Sequence, residues 1–406
     1  MRLTFKGVNS KFFWVLCIMG AFAILSSTMS KNPVLKPFAT SLGTPIDLLG
    51  FIAAASTIPG MLISLPAASL SDIIGRRKVM LVGALVFAIA PFLYLFVSVW
   101  WQLVLVRFFH GFATGIFVPV AEATVAERFP AKRGERIAVF SSATAVGRAL
   151  APFLGGYILY LTNYGYSTLY LAVGIAGITT LILTFLLFAE RKNPMMDSTV
   201  TVKPPKMFRG WLAVAKNSRV LAVSFIQSIQ YYVFGAIEFF LVGYLTDIAK
   251  LDALTIGIIM GSQMAALIIA RPLVGRFSDR IGRQKPIILG SIVSAVFVSA
   301  FPFSTHTPVL LLLSTGYGVS LATVVSSTAP FISELVPRQL VGTSLGFLAT
   351  MMDVGQTLGP ILSGFLLAVT LQYSALFFSL GALTILSVLV FSLLLTRHKT
   401  SEATSA

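Results

Sequence analysis

Charge is scarce in this chain. Of its 406 residues only 11% are charged, against roughly 25% in an ordinary soluble domain. That is too little to cover a soluble surface of this size. With 56% hydrophobic residues, a disordered, collagen-like or fibrous chain is excluded as well. Cysteine is nearly absent. Cys17 stands alone, so neither an intramolecular disulfide nor a cysteine-based metal site can form. Acids are few, 14 against 30 Lys and Arg, for a formal charge of +16. On a soluble protein that excess would point to nucleic acid; here the loop distribution described below accounts for it, and no nucleic-acid partner is expected. No G-x-x-x-x-G-K-[ST] or H-E-x-x-H sequence occurs, which removes the recognisable ATP motor and zinc-protease classes. We read the chain as not an enzyme and expect no cofactor and no metal.

Long apolar runs are what the chain has. A helix needs about 20 mostly apolar residues to cross a bilayer. The run 84–97 does not alternate as a barrel strand would. Breaks at charged or turn-rich positions leave twelve spans. They run approximately over 12–38, 46–70, 79–99, 101–126, 137–161, 166–189, 220–247, 254–275, 286–304, 308–333, 343–369 and 373–396. The basic stretch Met1–Lys11 followed by apolar residues resembles the start of a signal peptide. No small-residue cleavage site follows, so it is read as an uncleaved first helix. Lys and Arg fall almost entirely on alternate loops. The opposite side carries only Lys250, and Lys31, Lys36, Arg107, Arg148 and Arg271 lie within spans. Lys/Arg-rich loops stay in the cytoplasm. The expected location is therefore the cell (inner) membrane, multi-pass, with both termini cytoplasmic and the lipid bilayer as partner. A monomer is expected.

The segment 190–219 contains Pro194, Pro204 and Pro205 and divides the chain. It reads as a cytoplasmic linker, with a short surface helix around 210–215, between bundles at 1–189 and 220–406. The two halves look like copies. Asp72-Ile-Ile-Gly75-Arg76 matches Asp279-Arg280-Ile-Gly282-Arg283 at a separation of 207 positions (279 minus 72). Gly111 and Gly318, Glu127 and Glu334, and Pro130 and Pro337 keep that separation. Pro152 and Pro360 follow one inserted residue later. The fold expected is all-α, with two pseudo-symmetric six-helix bundles around a central path.

The loops Ala68–Lys78 and Gly275–Arg283 resemble the signature G-x-x-x-D-R-x-G-R-[RK] of the major facilitator superfamily. The second copy fits through Arg283, and the first departs at Ala68 and Ile73. The resemblance implies a cytoplasmic gate made of Asp72, Gly75, Arg76, Glu127, Gly275, Asp279, Arg280, Gly282 and Arg283, with Arg76 reaching Glu127. Arg107-Phe-Phe-His110-Gly111 is similar to the family's R-x-x-Q-G, with His110 in place of Gln. Gly147-Arg148-Ala-Leu-Ala151-Pro152-Phe-Leu-Gly155-Gly156 resembles G-x-x-x-G-P-x-x-G-G, typical of exporters that exchange substrate for protons. Gly355, Gly359 and Pro360 echo it. These residues suit a helix-packing switch, since glycine permits close approach and proline bends a helix.

A charge at the bilayer centre costs around 2.5–3.5 kcal/mol on insertion scales, so intramembrane charges are the site candidates. Counting from the basic ends places Arg148 and Asp353 near mid-depth, and Lys31, Arg107 and Glu238 nearer the outer face. Glu122 and Arg271 fall near the inner face. Asp353, then Glu238, are the candidates for proton coupling; a fixed salt bridge is the alternative for each. Lys31, Arg107 and Arg148 are candidates for binding an anionic group. Lys36 is read as snorkelling to the outer interface. His110 is either a proton relay or a packed histidine. Gln227, Gln230 and Phe234 share a helical face with Glu238 and are substrate-binding candidates. The function expected is secondary active transport by alternating access: proton-coupled efflux of drugs or small amphipathic molecules, that is, a multidrug-resistance antiporter with a small-molecule substrate and protons as partners. Two alternatives stand beside it. One is a proton-coupled symporter or facilitator of organic anions, and the other a non-transporting membrane sensor or assembly subunit.

Overall fold

In lipid every backbone polar group must be satisfied within its own segment, which leaves the helix as the solution for long apolar runs. The computed structural model describes residues 2–189, 217–337 and 340–404, and every regular element among them is helical. The surface helix expected around 210–215 lies outside the described residues. Among the described residues twelve helical stretches are long and apolar enough to cross a membrane: Ser10–Met29, Ile46–Ser64, Arg76–Phe96, Trp100–Arg128, Pro130–Leu161, Tyr166–Phe188, Ser218–Asp247, Ala253–Ile281, Gln284–Phe303, Thr307–Leu335, Val341–Thr370 and Tyr373–Leu395. Large apolar side chains such as Leu62, Ile175, Leu312 and Val369 are left exposed, as lipid-facing residues should be.

Two spans depart from the continuous helices expected. The first helix stops at Met29, and a short helix, Leu35–Ser41, follows a turn. Pro33 explains the stop, because it has no N–H to donate and its ring clashes with the preceding turn. Lys36 sits on that short helix and is only 5% exposed. It is therefore packed into the protein and does not snorkel. The second span breaks between Leu49–Ala54 and Thr57–Ile74. There the Thr57 hydroxyl donates to the Ala54 carbonyl at 2.8 Å, meeting one acceptor that the break frees.

The chain forms two compact units. One comprises Met1–Thr44, Phe51–Val202 and Asp252–Gly261; the other comprises Pro45–Gly50, Lys203–Leu251 and Ser262–Ala406. The first packs around Phe13, Phe87, Phe117 and Phe140, the second around Val223, Ile226, Ile332 and Phe391. Between lipid-embedded helices the hydrophobic effect gives little drive, so association depends on close van der Waals packing through small residues. Gly147 lies so near the first span that a Cβ there would stand 2.2 Å from the Ala21 carbonyl oxygen. In the second unit, Cβ atoms at Gly355 and Gly359 would stand 2.0 Å from the carbonyl oxygens of Ser228 and Tyr232. The eleventh span thus crosses the seventh backbone to backbone. Pro152 and Gly155 are buried with Gly147. Gly156 meets Ala253 and Gly257 within the first unit. Pro360 approaches Gly235 in the second.

Candidate functional site

The signature loops build the same ionic triad twice. Gly75 and Gly282 take φ of +96° and +87°, a conformation that costs a residue with a Cβ but not glycine. Each turn returns the chain so that the next basic residue folds back. Arg76 pairs with Asp72, and with Glu127 at 2.6 Å. It also donates to the Ser71 hydroxyl. Arg283 repeats this with Asp279, with Glu334 at 3.0 Å and with the Ser278 hydroxyl at 3.3 Å. Burial would lower the Arg283 pKa, but the bonds to Glu334 and Asp279 outweigh it and raise it, so the cation is secure. Each triad lies within one unit. Ile73, where the signature has arginine, does not prevent the first from forming. Arg280 is exposed, and nothing packs within 4 Å of where a Gly275 Cβ would be.

The first unit holds a buried basic cluster. Arg107 is 1% exposed. Its guanidinium donates to the Ser56 hydroxyl at 2.6 Å and to the carbonyls of Ile52 and Ala53, each at 3.4 Å. Those carbonyls belong to the turn before the break in the second span, so Arg107 is committed to holding that break. Gly111, one turn on, lets the helices touch: a Cβ there would stand 2.2 Å from the Ser56 carbonyl oxygen. His110 is buried, with Nδ1 3.3 Å from the Tyr94 hydroxyl and Nε2 without a partner among the described residues. Tyr94 stacks on Tyr170 at 4.1 Å between centroids. Lys31 is half-buried in the same unit. Arg148 is exposed on the fifth span, apart from this cluster.

The second unit answers with amides, a phenol and an acid. Gln227 and Gln230 are buried, Gln227 accepting from Thr328 and Gln230 from Ser294 at 3.4 Å. Phe234, 3% exposed, lies on the same helix, and Glu238 is 4% exposed. Gln263 accepts from Ser314 at 3.3 Å. Among the described residues the donors Gln230 Nε2, Gln263 Nε2 and Tyr317 Oη have no acceptor. Each such buried donor costs about 1–3 kcal/mol. Asp353, mid-way along the eleventh span, is half-buried and makes no hydrogen bond or ion pair with any described residue. Glu122 is half-buried and Arg271 exposed.

Ser56, Gln263 and Tyr317 are the polar groups that motif matching passes over. The 207-residue repeat finds them. It carries Lys31 onto Glu238, Ser56 onto Gln263, Arg107 onto Ser314 and His110 onto Tyr317. The contacts repeat too: Arg107 to Ser56 in one unit, Ser314 to Gln263 in the other. A Cβ at Gly318 would stand 2.3 Å from the Gln263 backbone carbonyl oxygen, just as one at Gly111 would crowd that of Ser56.

Comparison with known proteins agrees with this duplicated helical architecture. An uncharacterized MFS-type transporter of Methanocaldococcus jannaschii is 23% identical over 358 residues, 85% of this chain and 90% of that protein. The multi-drug resistance efflux pump PmrA of Streptococcus pneumoniae is 23% identical over 367 residues, 89% of this chain and 90% of that one. A crystal structure of the nucleoside transporter NupG superposes with a TM-score of 0.80 at 14% identity, covering 94% of this chain and 99% of that one. The sequence profile of the Major Facilitator Superfamily matches residues 16–245 and 223–406. The chain, a multi-pass membrane protein of twelve helices, therefore belongs to the major facilitator superfamily of transporters.

Proposed function

We propose that this protein exports drugs or small amphipathic molecules in exchange for protons, by alternating access. It would do so in the cell (inner) membrane with both termini in the cytoplasm. The observation that carries the reading is Asp353. A carboxylate in mid-span is costly, and this one has no counter-charge among the described residues. A fixed salt bridge would hold it ionised; without one it is able to gain and lose a proton as its surroundings change. Glu238, on the seventh span, is the second proton-coupling candidate. The glycine and proline series of the fifth and eleventh spans, with its backbone-to-backbone crossings, supports the exporter reading, as does the likeness to a multi-drug efflux pump. The triads at Arg76 and Arg283 supply the cytoplasmic gate, and the basic ends of the spans supply the orientation.

The test is Asp353→Asn in proteoliposomes. The variant reaches the membrane and binds solute, yet loses accumulation driven by a pH gradient. Undiminished pH-driven transport by Asp353→Asn removes this residue from the mechanism. Import of organic anions remains the second reading, favoured by Arg148, a cation at mid-span on the exposed face of the fifth helix. Under that reading Arg148→Ala selectively weakens anion uptake.

A further inference from the structure

We infer that Glu238, Gln263 and Tyr317 form a hydrogen-bonding substrate subsite in the second unit. It takes a solute that presents an oxygen acceptor beside an O–H or N–H donor. The inference rests on the transport reading and names the substrate chemistry for it.

Three observations converge. The first is position. Glu238, Gln263 and Tyr317 come from the seventh, eighth and tenth spans, and each stands about three helical turns from the end opposite the signature loop. They therefore share one level of the unit. Tyr317 lies within electrostatic reach of Glu238 and Tyr231, and Ser314, one turn before Tyr317, touches Gln263. The second is unmet hydrogen bonding. Gln263 and Tyr317 are 1% and 0% exposed, and their Nε2 and Oη have no acceptor among the described residues. Native interiors rarely leave such donors unused. The third is the contrast across the repeat. At the equivalent level of the first unit, Arg107 spends its donors on Ser56 and on the broken helix. In the second unit the position of Arg107 is Ser314, whose hydroxyl occupies the Gln263 carbonyl oxygen and leaves the amide N–H to spare.

The chemistry of the ligand follows. An amide N–H and a phenol O–H offer two hydrogen bonds to a ligand oxygen. Glu238 has several lone-pair positions and can accept from a neighbouring hydroxyl or amine of the same solute. A purely lipophilic cation makes no hydrogen bond to any of these groups and leaves the amide and phenol donors unmet. A hydroxylated or amide-bearing amphiphile satisfies all of them, and its donor competes with a proton for Glu238.

The test uses the full chain, purified, with chloramphenicol as a probe bearing hydroxyls and an amide, and tetraphenylphosphonium as one bearing no hydrogen-bonding group. Binding is read by ligand-induced thermal shift and equilibrium titration. Tyr317→Phe and Gln263→Leu are each expected to weaken chloramphenicol about three- to tenfold, the loss of one or two neutral hydrogen bonds. Tetraphenylphosphonium binding stays unchanged. The inference is overturned if chloramphenicol does not bind the wild type. It is also overturned if both variants bind it as the wild type does, in which case ordered water alone serves these donors. An equal loss for both probes in both variants assigns the residues a merely structural role and overturns it too. If binding shows the selective loss but reconstituted wild type moves neither probe, the transport reading fails and the subsite stands.

Discussion

Arg107 and Asp353 show two opposite ways of carrying an ionic group inside a lipid-embedded helix. Arg107 is satisfied: its fork meets a hydroxyl and two backbone carbonyls of the broken second span. Arg107→Ala should therefore act on stability before it acts on substrate, because it leaves those carbonyls without donors. A loss of about 2–4 kcal/mol is expected, read as a lower melting temperature of the purified protein. Arg107→Lys should recover only part of it, since an ammonium lacks the planar fork. Equal melting of wild type and Arg107→Ala contradicts this structural role. Asp353 is unsatisfied, and its substitution should spare folding while removing proton coupling. The expense of both residues is legible in the sequence, since charges amid apolar runs stand out. What separates them is not, because the partners of Arg107 are carbonyls, which every residue has. Gln263 and Tyr317 carry no charge and so escape that search; only the repeat, applied to Ser56 and His110, marks them.

At the scale of elements, glycine placement decides how closely helices cross. Gly355→Leu should abolish correctly folded protein, because the Ser228 carbonyl already occupies the space of the first added carbon. Gly275→Ala should be tolerated, since nothing lies within 4 Å of the added methyl. Detergent solubility and size-exclusion profiles check both, and equal behaviour of the two variants refutes the packing argument. A second prediction concerns the start of the eighth span. Asp252 accepts from the Thr255 amide at 3.0 Å and from its hydroxyl at 2.7 Å, an N-cap. Burial would raise the Asp252 pKa, but these bonds and those from neighbouring amides hold it below the usual value. Its contribution is therefore present above the ordinary aspartate pKa of about 3.9 and is lost as the pH falls through the lower folded value. Asp252→Ala should cost about 1 kcal/mol at neutral pH, seen as a lower melting temperature. The difference from wild type should vanish in strong acid. Helix existence was readable from apolar run length. The break after Ala54 is marked only at a distance, by Pro59, which has no N–H to give the Ala55 carbonyl four residues back; the contacts with Arg107 and Gly111 make that geometry tolerable.

The whole molecule is a duplicated helical design whose copies have diverged in charge. The repeat keeps the turns at Gly75 and Gly282, the triads of Arg76 and Arg283, and the crossings at Gly111 and Gly318. It replaces Lys31, Arg107 and His110 of one unit with Glu238, Ser314 and Tyr317 of the other. Family membership and span number follow from the repeated loops and apolar runs, whereas the substrate chemistry proposed above rests on the diverged positions, which no motif describes. The proposed exchange requires solute and protons to cross in opposite directions on one protein. The direct measurement is internal pH in sealed proteoliposomes of the wild type, recorded as chloramphenicol or tetraphenylphosphonium flows down an imposed gradient. Proton movement opposed to solute movement is expected, abolished in Asp353→Asn. Solute flux with no accompanying pH change, or with protons moving in the same direction, would contradict it.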